Sequence, residues 1–176
     1  PDLHASRLGD PHQRLAFILV NALEARLAGT GRDLHVALTS RRISTADQLK
    51  AYRVYLCSPL RPTFSFFANE MILEAASRAT ILHIVDFGIT FGFQWPTLIQ
   101  QLSNRDGGPP KLRITGIDFP QPGFRPAESM QQTGHRLAKY CERFNVPFEY
   151  QAIATRNWDK ITIEELKLTR NEVLAV

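Results

Sequence analysis

The sequence predicts an α/β protein, in which a doubly wound parallel sheet with helices on both faces follows an N-terminal group of helices. Three observations predict this fold class. Apolar residues follow helical spacing through most of residues 1–79, short and nearly continuous apolar runs appear after Ala79, and those runs alternate with helical segments. Connections of this length suit parallel strands, because each crossover must return to the same end of the sheet.

Residues 1–79 are predicted to form a helical cap. The first helix begins at Asp10 and Pro11, carries Leu15, Ile18 and Leu19 at helical spacing, and ends near Gly29. A second begins at the capping-box pair Ser44 and Asp47 and stops before Pro59. A third follows Pro62. Its apolar stripe is expected to be core, and consists of Phe64, Phe67, Ala68, Met71, Ile72 and Ala75.

Residues 80–176 are predicted to form the sheet. Strands are expected over 81–87, 112–118, 148–154 and 172–176, with helices beginning near Trp95, at Pro126 and near Thr162. In the longest helix, the residues expected to face inward are Met130, Leu137, Cys141 and Phe144, and those expected to face water are Glu128, Gln132, Arg136, Lys139 and Arg143. Because the last strand has nothing after it to cover it, we expect a fragment of a larger domain.

Composition is that of a soluble globular domain, with 44% hydrophobic and 22% charged residues among 176. No run approaches the length of a membrane span and the N-terminus lacks a secretory signal, so we expect a soluble, intracellular protein. Cys57 and Cys141 lie far apart in helical patterns and are expected to be reduced core thiols. The net charge of +4 is spread along the chain without a basic arm, so charge gives DNA binding only modest support.

The turn after the first strand is the candidate binding site. Its spacing of Asp86, Gly88 and Gly92 is similar to the D-x-G-x-G-x-G turn of S-adenosylmethionine methyltransferases, but Thr90 replaces the middle glycine and crowds a ligand there. Asp118 ends the second strand, where such folds hold ribose hydroxyls. The alternative interpretation is architectural, in which the glycines make a tight turn and the carboxylates accept amide hydrogen bonds. Trp95 is expected to be a packing anchor.

No catalytic or metal-binding pattern accompanies this turn. His83 lies on the first strand and is expected to be a core histidine with its polar atoms bonded. His12 and His135 fall on separate helices, and neither is paired with a serine or cysteine at a recognisable spacing. The sequence also lacks a phosphate-binding G-x-x-x-x-G-K-[ST] loop, which makes phosphoryl transfer an unfavoured interpretation.

Several motifs in order give the chain a family resemblance. The segment "LHIVDFGITFGFQWPTLIQ" resembles the VHIID-type motif of the GRAS family of plant transcriptional regulators, and "GGPPKLRITGID", "GHRLAKYCERFNVPFEY" and "NEVLAV" resemble the segments after it. "QRLAFILVNALEARLAGTG" resembles the end of the first leucine-rich region, and "FPQPGFRPAE" resembles the scarecrow-like branch. The family-motif positions are Leu82, His83, Ile84, Val85, Asp86, Gln94, Trp95 and Pro96.

The resemblance implies a Rossmann-like, methyltransferase-related core over 80–176, a non-catalytic role in the nucleus, and no cofactor or membrane partner. It implies DNA, other transcription factors and a homodimer or heterodimer as partners, with a C-terminal part of the domain absent from this sequence. Candidate DNA contacts are Arg136, Lys139, Arg143 and Arg156. Two alternatives remain: a cofactor-binding methyltransferase-like protein using Asp86, Gly88, Gly92 and Asp118, and a pure protein-interaction module that uses the helical cap and whichever of Phe64, Phe66 and Phe67 are exposed.

Overall fold

A computed structural model describes residues 4–29, 44–121 and 124–176. The described residues fall into two compact units, the first containing one helix and the second containing everything from Ser44 onward. The predicted domain boundary between residues 79 and 80 stays a prediction. The division into two compact units places the second and third helices in the same unit as the sheet.

Helix α1, Pro11–Leu27, belongs to the first unit. Asp10 caps it, because the Asp10 carboxylate accepts hydrogen bonds from the amides of His12 and Gln13 while the Gln13 side chain accepts from the Asp10 amide. Pro11 occupies the first turn, where its missing N–H has no helical partner. These features confirm the helix start that the sequence predicts.

Two helices open the second unit, α2 over Thr45–Cys57 and α3 over Leu60–Ala75. The predicted capping box of Ser44 and Asp47 is present at the start of α2. Helix α3 begins two residues before Pro62 rather than after it, because proline is tolerated within a first turn. The Tyr55 hydroxyl donates to Ser65 Oγ at 2.9 Å and links the two helices.

The sheet has four parallel strands in the order β3-β2-β1-β4. Their bounds are Ile81–Phe87 for β1, Lys111–Asp118 for β2, Phe148–Ala154 for β3 and Val173–Ala175 for β4. The predicted strands β1 and β3 match these bounds. Strand β2 begins one residue earlier than predicted, and β4 is one residue shorter at each end. The α/β class with a parallel sheet is therefore confirmed.

Two helices cover one face of the sheet: α4 over Trp95–Ser103 and α5 over Glu128–Arg143. Helix α5 begins two residues after Pro126, and Met130, Leu137 and Cys141 are buried on its inner face, as predicted. They join a continuous apolar core with residues of α4 and the strands, including Leu98, Leu102, Leu82, Ile84 and Leu112.

The connection from β3 to β4 crosses the other face. It contains a single 3₁₀ turn, Trp158–Lys160, and a one-turn helix α6, Ile163–Leu166. Its backbone carbonyls accept hydrogen bonds from sheet side chains, with Gln151 donating to Glu165 and Arg113 donating to Lys167. This face therefore carries a short helix and irregular chain where a long helix is typical of the fold class.

A buried polar network anchors the end of this connection. Glu172 accepts from the Arg113 guanidinium at 2.5 Å and lies 3.1 Å from His83 Nδ1, while His83 Nε2 lies 2.8 Å from Thr115 Oγ1. Burial alone raises the pKa of Glu172, but hydrogen bonds from Thr169 and His83 outweigh it and hold the pKa at about 2. His83 is fully buried and bonded, as the core interpretation predicts.

Two expectations about burial are wrong. Cys141 is buried, but Cys57 is exposed at the end of α2. The stripe on α3 is not core: the exposed fractions of Phe64, Phe67 and Met71 are 66%, 61% and 66%, and only Ile72 of the predicted stripe packs against the core. The buried residue of α3 is instead a polar one, Asn69. Apolar spacing identifies a helix face but does not identify what covers it.

No helix among the described residues is long and apolar enough to span a membrane. Within the same ranges, no cluster of histidine, cysteine and carboxylate side chains has the arrangement of a metal site.

Candidate functional site

The turn after β1 places three residues in the left-handed region of backbone space. Gly88, Thr90 and Gly92 have φ angles of +88°, +42° and +63°. The two glycines adopt such angles without steric cost, whereas a β-branched residue is strained there. Thr90 is held in place by its own hydroxyl, which donates to the Gly88 carbonyl at 3.0 Å.

Four backbone amides of this turn are bonded within the protein. The Gly88 and Ile89 amides donate to the Ile117 carbonyl, and the Gly92 amide donates to the Ile89 carbonyl. The Thr90 amide donates to Asp118 Oδ2 at 3.0 Å. A nucleotide-binding turn presents amides of this kind to the ligand, whereas these four already have protein acceptors.

Both candidate acids accept hydrogen bonds from neighbouring protein groups. The Trp95 indole donates to Asp86 Oδ2 at 2.8 Å, and Asp118 accepts from the Phe119 amide at 2.8 Å as well as from Thr90. Burial raises the pKa of Asp86, the Trp95 hydrogen bond opposes that rise, and the nearby charge of Asp118 adds to it. The contacts agree with the architectural interpretation of these carboxylates. Trp95 is buried, as a packing anchor should be.

Helix α5 closes the turn from its other side. Thr133 Oγ1 donates to the Thr90 carbonyl at 2.8 Å, and the Arg136 guanidinium donates to Thr133 Oγ1 at 2.7 Å. A Cβ on Gly92 would lie 3.1 Å from Thr133 Cγ2, so the turn and the helix are in tight contact. The expectation that Arg136 faces water is therefore wrong: its guanidinium is partly buried, and burial lowers its pKa.

Tyr150 lies beneath this site and is not among the site residues predicted from the sequence. Its ring packs against Gly134 of α5, and its hydroxyl lies where a Cβ on Gly116 would be only 2.5 Å away. Burial raises the pKa of Tyr150, and the charge of Asp86 adds to that effect. The available signal was a glycine in the middle of a helix and another in the middle of a strand, since both positions usually disfavour glycine.

A second unrecognised contact joins α3 to the start of α4. Asn69 is buried, and its side-chain oxygen accepts from Gln94 Nε2 at 3.0 Å while its side-chain nitrogen donates to the Gln94 backbone carbonyl at 3.4 Å. This pair assigns Gln94 of the family motif a structural role. Pro96 occupies the first turn of α4, and Leu82, His83, Ile84 and Val85 are buried in β1.

The candidate DNA contacts do not form one patch. Lys139 and Arg143 are exposed one turn apart on α5, on the same face of the helix. Arg156 is also exposed but follows the carboxyl end of β3, whereas Arg143 lies at the end of α5 that precedes β3. The length of β3 separates them by about 20 Å. Lys139 and Arg143 are therefore the two of these cations that lie next to each other on one exposed surface.

These features define a class of protein: a Rossmann-like α/β domain whose first strand–helix turn is hydrogen bonded internally. The GRAS domain family model matches residues 2–176. Scarecrow-like protein 14 and Scarecrow-like protein 34, both of Arabidopsis thaliana, are 54% and 58% identical to the chain over 98% of its length. The chain belongs to the GRAS domain family, a family of plant regulators.

A solved structure supports the same fold. The crystal structure of SCL7 in Oryza sativa is 34% identical, aligns with a TM-score of 0.68, and is matched over 98% of this chain and 44% of that chain. The chain spans about a quarter of the length of the curated relatives, 23% of Scarecrow-like protein 14 and 28% of Scarecrow-like protein 34.

Proposed function

We propose that this chain is part of a non-catalytic transcription regulator that acts in the plant nucleus by contacting DNA and other transcription factors, and that it assembles as a dimer. Family membership supports the regulatory role. The observation that supports the non-catalytic part is the turn after β1, because the amides of Gly88, Ile89, Thr90 and Gly92 and both acids are bonded to protein groups. A fold of this class does not by itself imply an enzyme.

Contact with DNA through α5 is supported by the exposed pair Lys139 and Arg143. Neither side chain has an ion-pair partner among the described residues, so both charges are available to phosphates. Arg136 contributes to the turn instead, and it is left unchanged in the experiment below.

The test is a salt titration of duplex DNA binding by the full-length protein and by its Lys139→Ala/Arg143→Ala variant. We expect the slope of log affinity against log salt to become shallower by about 0.9 for each lost phosphate contact. Arg78→Ala removes an exposed cation outside α5 and serves as the matched control. Equal slopes in the wild type and the double variant would reject this contact.

A protein-interaction role without DNA is the second candidate. It is favoured by the exposure of Phe64, Phe66 and Phe67 on α3, where such a large apolar surface marks an interaction site in many soluble proteins. Sedimentation of the full-length protein with and without duplex DNA distinguishes the two candidates, because only the first predicts a complex with DNA.

A further inference from the structure

Helices α2 and α3 meet at the segment Ser58-Pro59-Leu60-Arg61, in which Ser58 is the C-cap of α2 and Pro59 is the N-cap of α3. Protein kinases recognise a serine by the residues around it, and the proline-directed class needs a proline directly after the serine and favours a cation two residues further on. Ser58-Pro59 is the only Ser-Pro or Thr-Pro step in the 176 residues of the sequence, and Arg61 supplies the cation. The junction therefore has the pattern of a phosphorylation site.

The junction is accessible at the protein surface. Ser58 has an extended backbone with a ψ angle of 118°, so α2 does not continue through it. Ser58 is half-buried, whereas Pro59, Leu60 and Arg61 are exposed. The Ser58 hydroxyl oxygen accepts from the Arg61 amide at 3.5 Å, which is the long limit of a hydrogen bond, and the hydroxyl donates to no acceptor among the described residues. No strong contact within those residues holds the oxygen that a kinase would use.

The sequence around Ser58 is positively charged. Residues 48–69 contain no aspartate or glutamate and three cations, Lys50, Arg53 and Arg61. The nearest acid along α2 is Asp47, which lies eleven residues before Ser58 and thus about 16 Å away along the helix. Asp86 lines a groove together with Arg61, and it already accepts the Trp95 hydrogen bond. A phosphate of charge about −2 would change the local charge of this segment from +3 to about +1.

The start of α3 can receive the phosphate. Pro59 makes no side-chain capping hydrogen bond, and the first turn of α3 contains no acid. Because Pro59 and Pro62 have no N–H, the donors of this turn are the amides of Leu60 and Arg61. A phosphate on Ser58 brings three acceptor oxygens to the point that the Arg61 amide already faces, and the Arg61 guanidinium has no ion-pair partner among the described residues. The dipoles of the two helix ends oppose each other here, so the hydrogen-bond donors of α3 decide the outcome.

We propose that Ser58 is phosphorylated by a proline-directed protein kinase and that the phosphate caps α3 through the amide and the guanidinium of Arg61. In this step the Ser58 oxygen attacks the γ-phosphorus of ATP. A bond forms between Oγ and phosphorus, the bond from that phosphorus to the bridging oxygen of ADP breaks, and the hydroxyl proton passes to a base of the kinase. The modification is independent of DNA contact through α5, so a failure here leaves the salt titration of DNA binding unaffected.

The first test incubates the full-length protein with ATP and a purified cyclin-dependent kinase, and locates the phosphate by mass spectrometry. We expect phosphate on Ser58, none at that position in Ser58→Ala, and incorporation about tenfold slower in Pro59→Ala. Pro62→Ala is the matched control, because it removes a proline from the same helical turn and keeps the Ser-Pro step. An unmodified Ser58 overturns the proposal, as does an equal rate in Pro59→Ala. Modification of a synthetic peptide of residues 52–65 but not of the protein also overturns it, since the folded junction then excludes the kinase.

The second test compares amide hydrogen exchange in the phosphorylated and unphosphorylated protein. Exchange of the Leu60 and Arg61 amides should slow about fivefold on phosphorylation, the factor by which a typical N-cap interaction changes an opening equilibrium. After complete phosphorylation, Arg61→Gln should reduce this slowing, whereas Arg53→Gln should leave it unchanged. Equal exchange in the two forms of the wild type, or equal slowing in the two variants, overturns the capping role of the phosphate.

Discussion

Gly134→Ala is the most informative single change in the packing beneath the turn. Gly134 lies in the middle of α5, where alanine normally favours the helix over glycine by about 1 kcal/mol. A Cβ at this position, however, would lie 2.5 Å from Tyr150 Cε1 and 2.7 Å from Tyr150 Cγ, which is closer than carbon atoms approach. Helix propensity therefore predicts that Gly134→Ala stabilises the protein, whereas packing predicts that it destabilises it.

Packing should outweigh propensity, because the added Cβ would meet the rigid ring of Tyr150 rather than the end of a flexible side chain. The Tyr150 hydroxyl already lies close to Gly116 on the far side. Inserting a methyl group into a filled core costs about 1–3 kcal/mol, and subtracting the propensity gain leaves a net loss of about 1–2 kcal/mol in the free energy of unfolding.

Urea denaturation measures this difference directly. The exposed neighbour Gln132→Ala is the control for helix propensity and should be close to neutral. In a Tyr150→Leu background the ring is gone, so Gly134→Ala should become neutral or stabilising. A stabilising Gly134→Ala in the wild-type background would refute the packing argument.

Two further predictions concern pH. Glu172 has a folded pKa of about 2 against an ordinary value of 4.5, so it contributes about 3 kcal/mol that is present above pH 4.5 and is lost as the pH falls towards 2. Glu172→Gln should therefore destabilise the protein at neutral pH, with the difference shrinking across that window in denaturation experiments. The ionisation of Asp86 affects stability in the opposite direction. Burial raises the pKa of Asp86, so its ionised form opposes folding. Asp86→Asn should raise the free energy of unfolding at pH 7 and have little effect below the ordinary aspartate range, and a constant difference across pH would contradict this.

The regular elements were predictable because the local signals agree with one another. β1 combines a nearly continuous apolar run with a glycine turn, and α2 has a capping box and a terminal proline. The error on α3 has a physical reason. Leu60, Phe64, Phe67 and Met71 repeat at helical spacing whether another protein surface or solvent lies opposite them, so the pattern alone does not determine burial.

The position of the candidate site could be predicted from the sequence, but the hydrogen bonds within it could not. Asp86, Gly88, Gly92 and Asp118 do come together at the carboxyl ends of β1 and β2, as parallel topology requires. The partners that complete the site come from distant positions, since Thr133 is 43 residues from Thr90 in the chain. Such a contact between a helix hydroxyl and a turn carbonyl leaves no local pattern in the sequence.

The directions of the cationic side chains on α5 could not be predicted from the sequence either. Arg136, Lys139 and Arg143 look equivalent on a helical repeat, but only the structure shows that Arg136 turns towards Thr133 and Phe91. A long side chain at the edge between the buried and the exposed face of a helix can turn towards the core or towards solvent. A loss of DNA binding in an Arg136 variant would therefore reflect the turn as well as any phosphate contact.

The most direct test of the central claim is a calorimetric titration of the full-length protein with S-adenosylmethionine. The internal hydrogen bonds of Thr90, Asp86 and Asp118 predict no saturable heat at millimolar ligand, in the wild type and in Asp118→Asn alike. Saturable binding with one site per chain, lost in Asp118→Asn, would contradict the account and identify the turn after β1 as a working cofactor site.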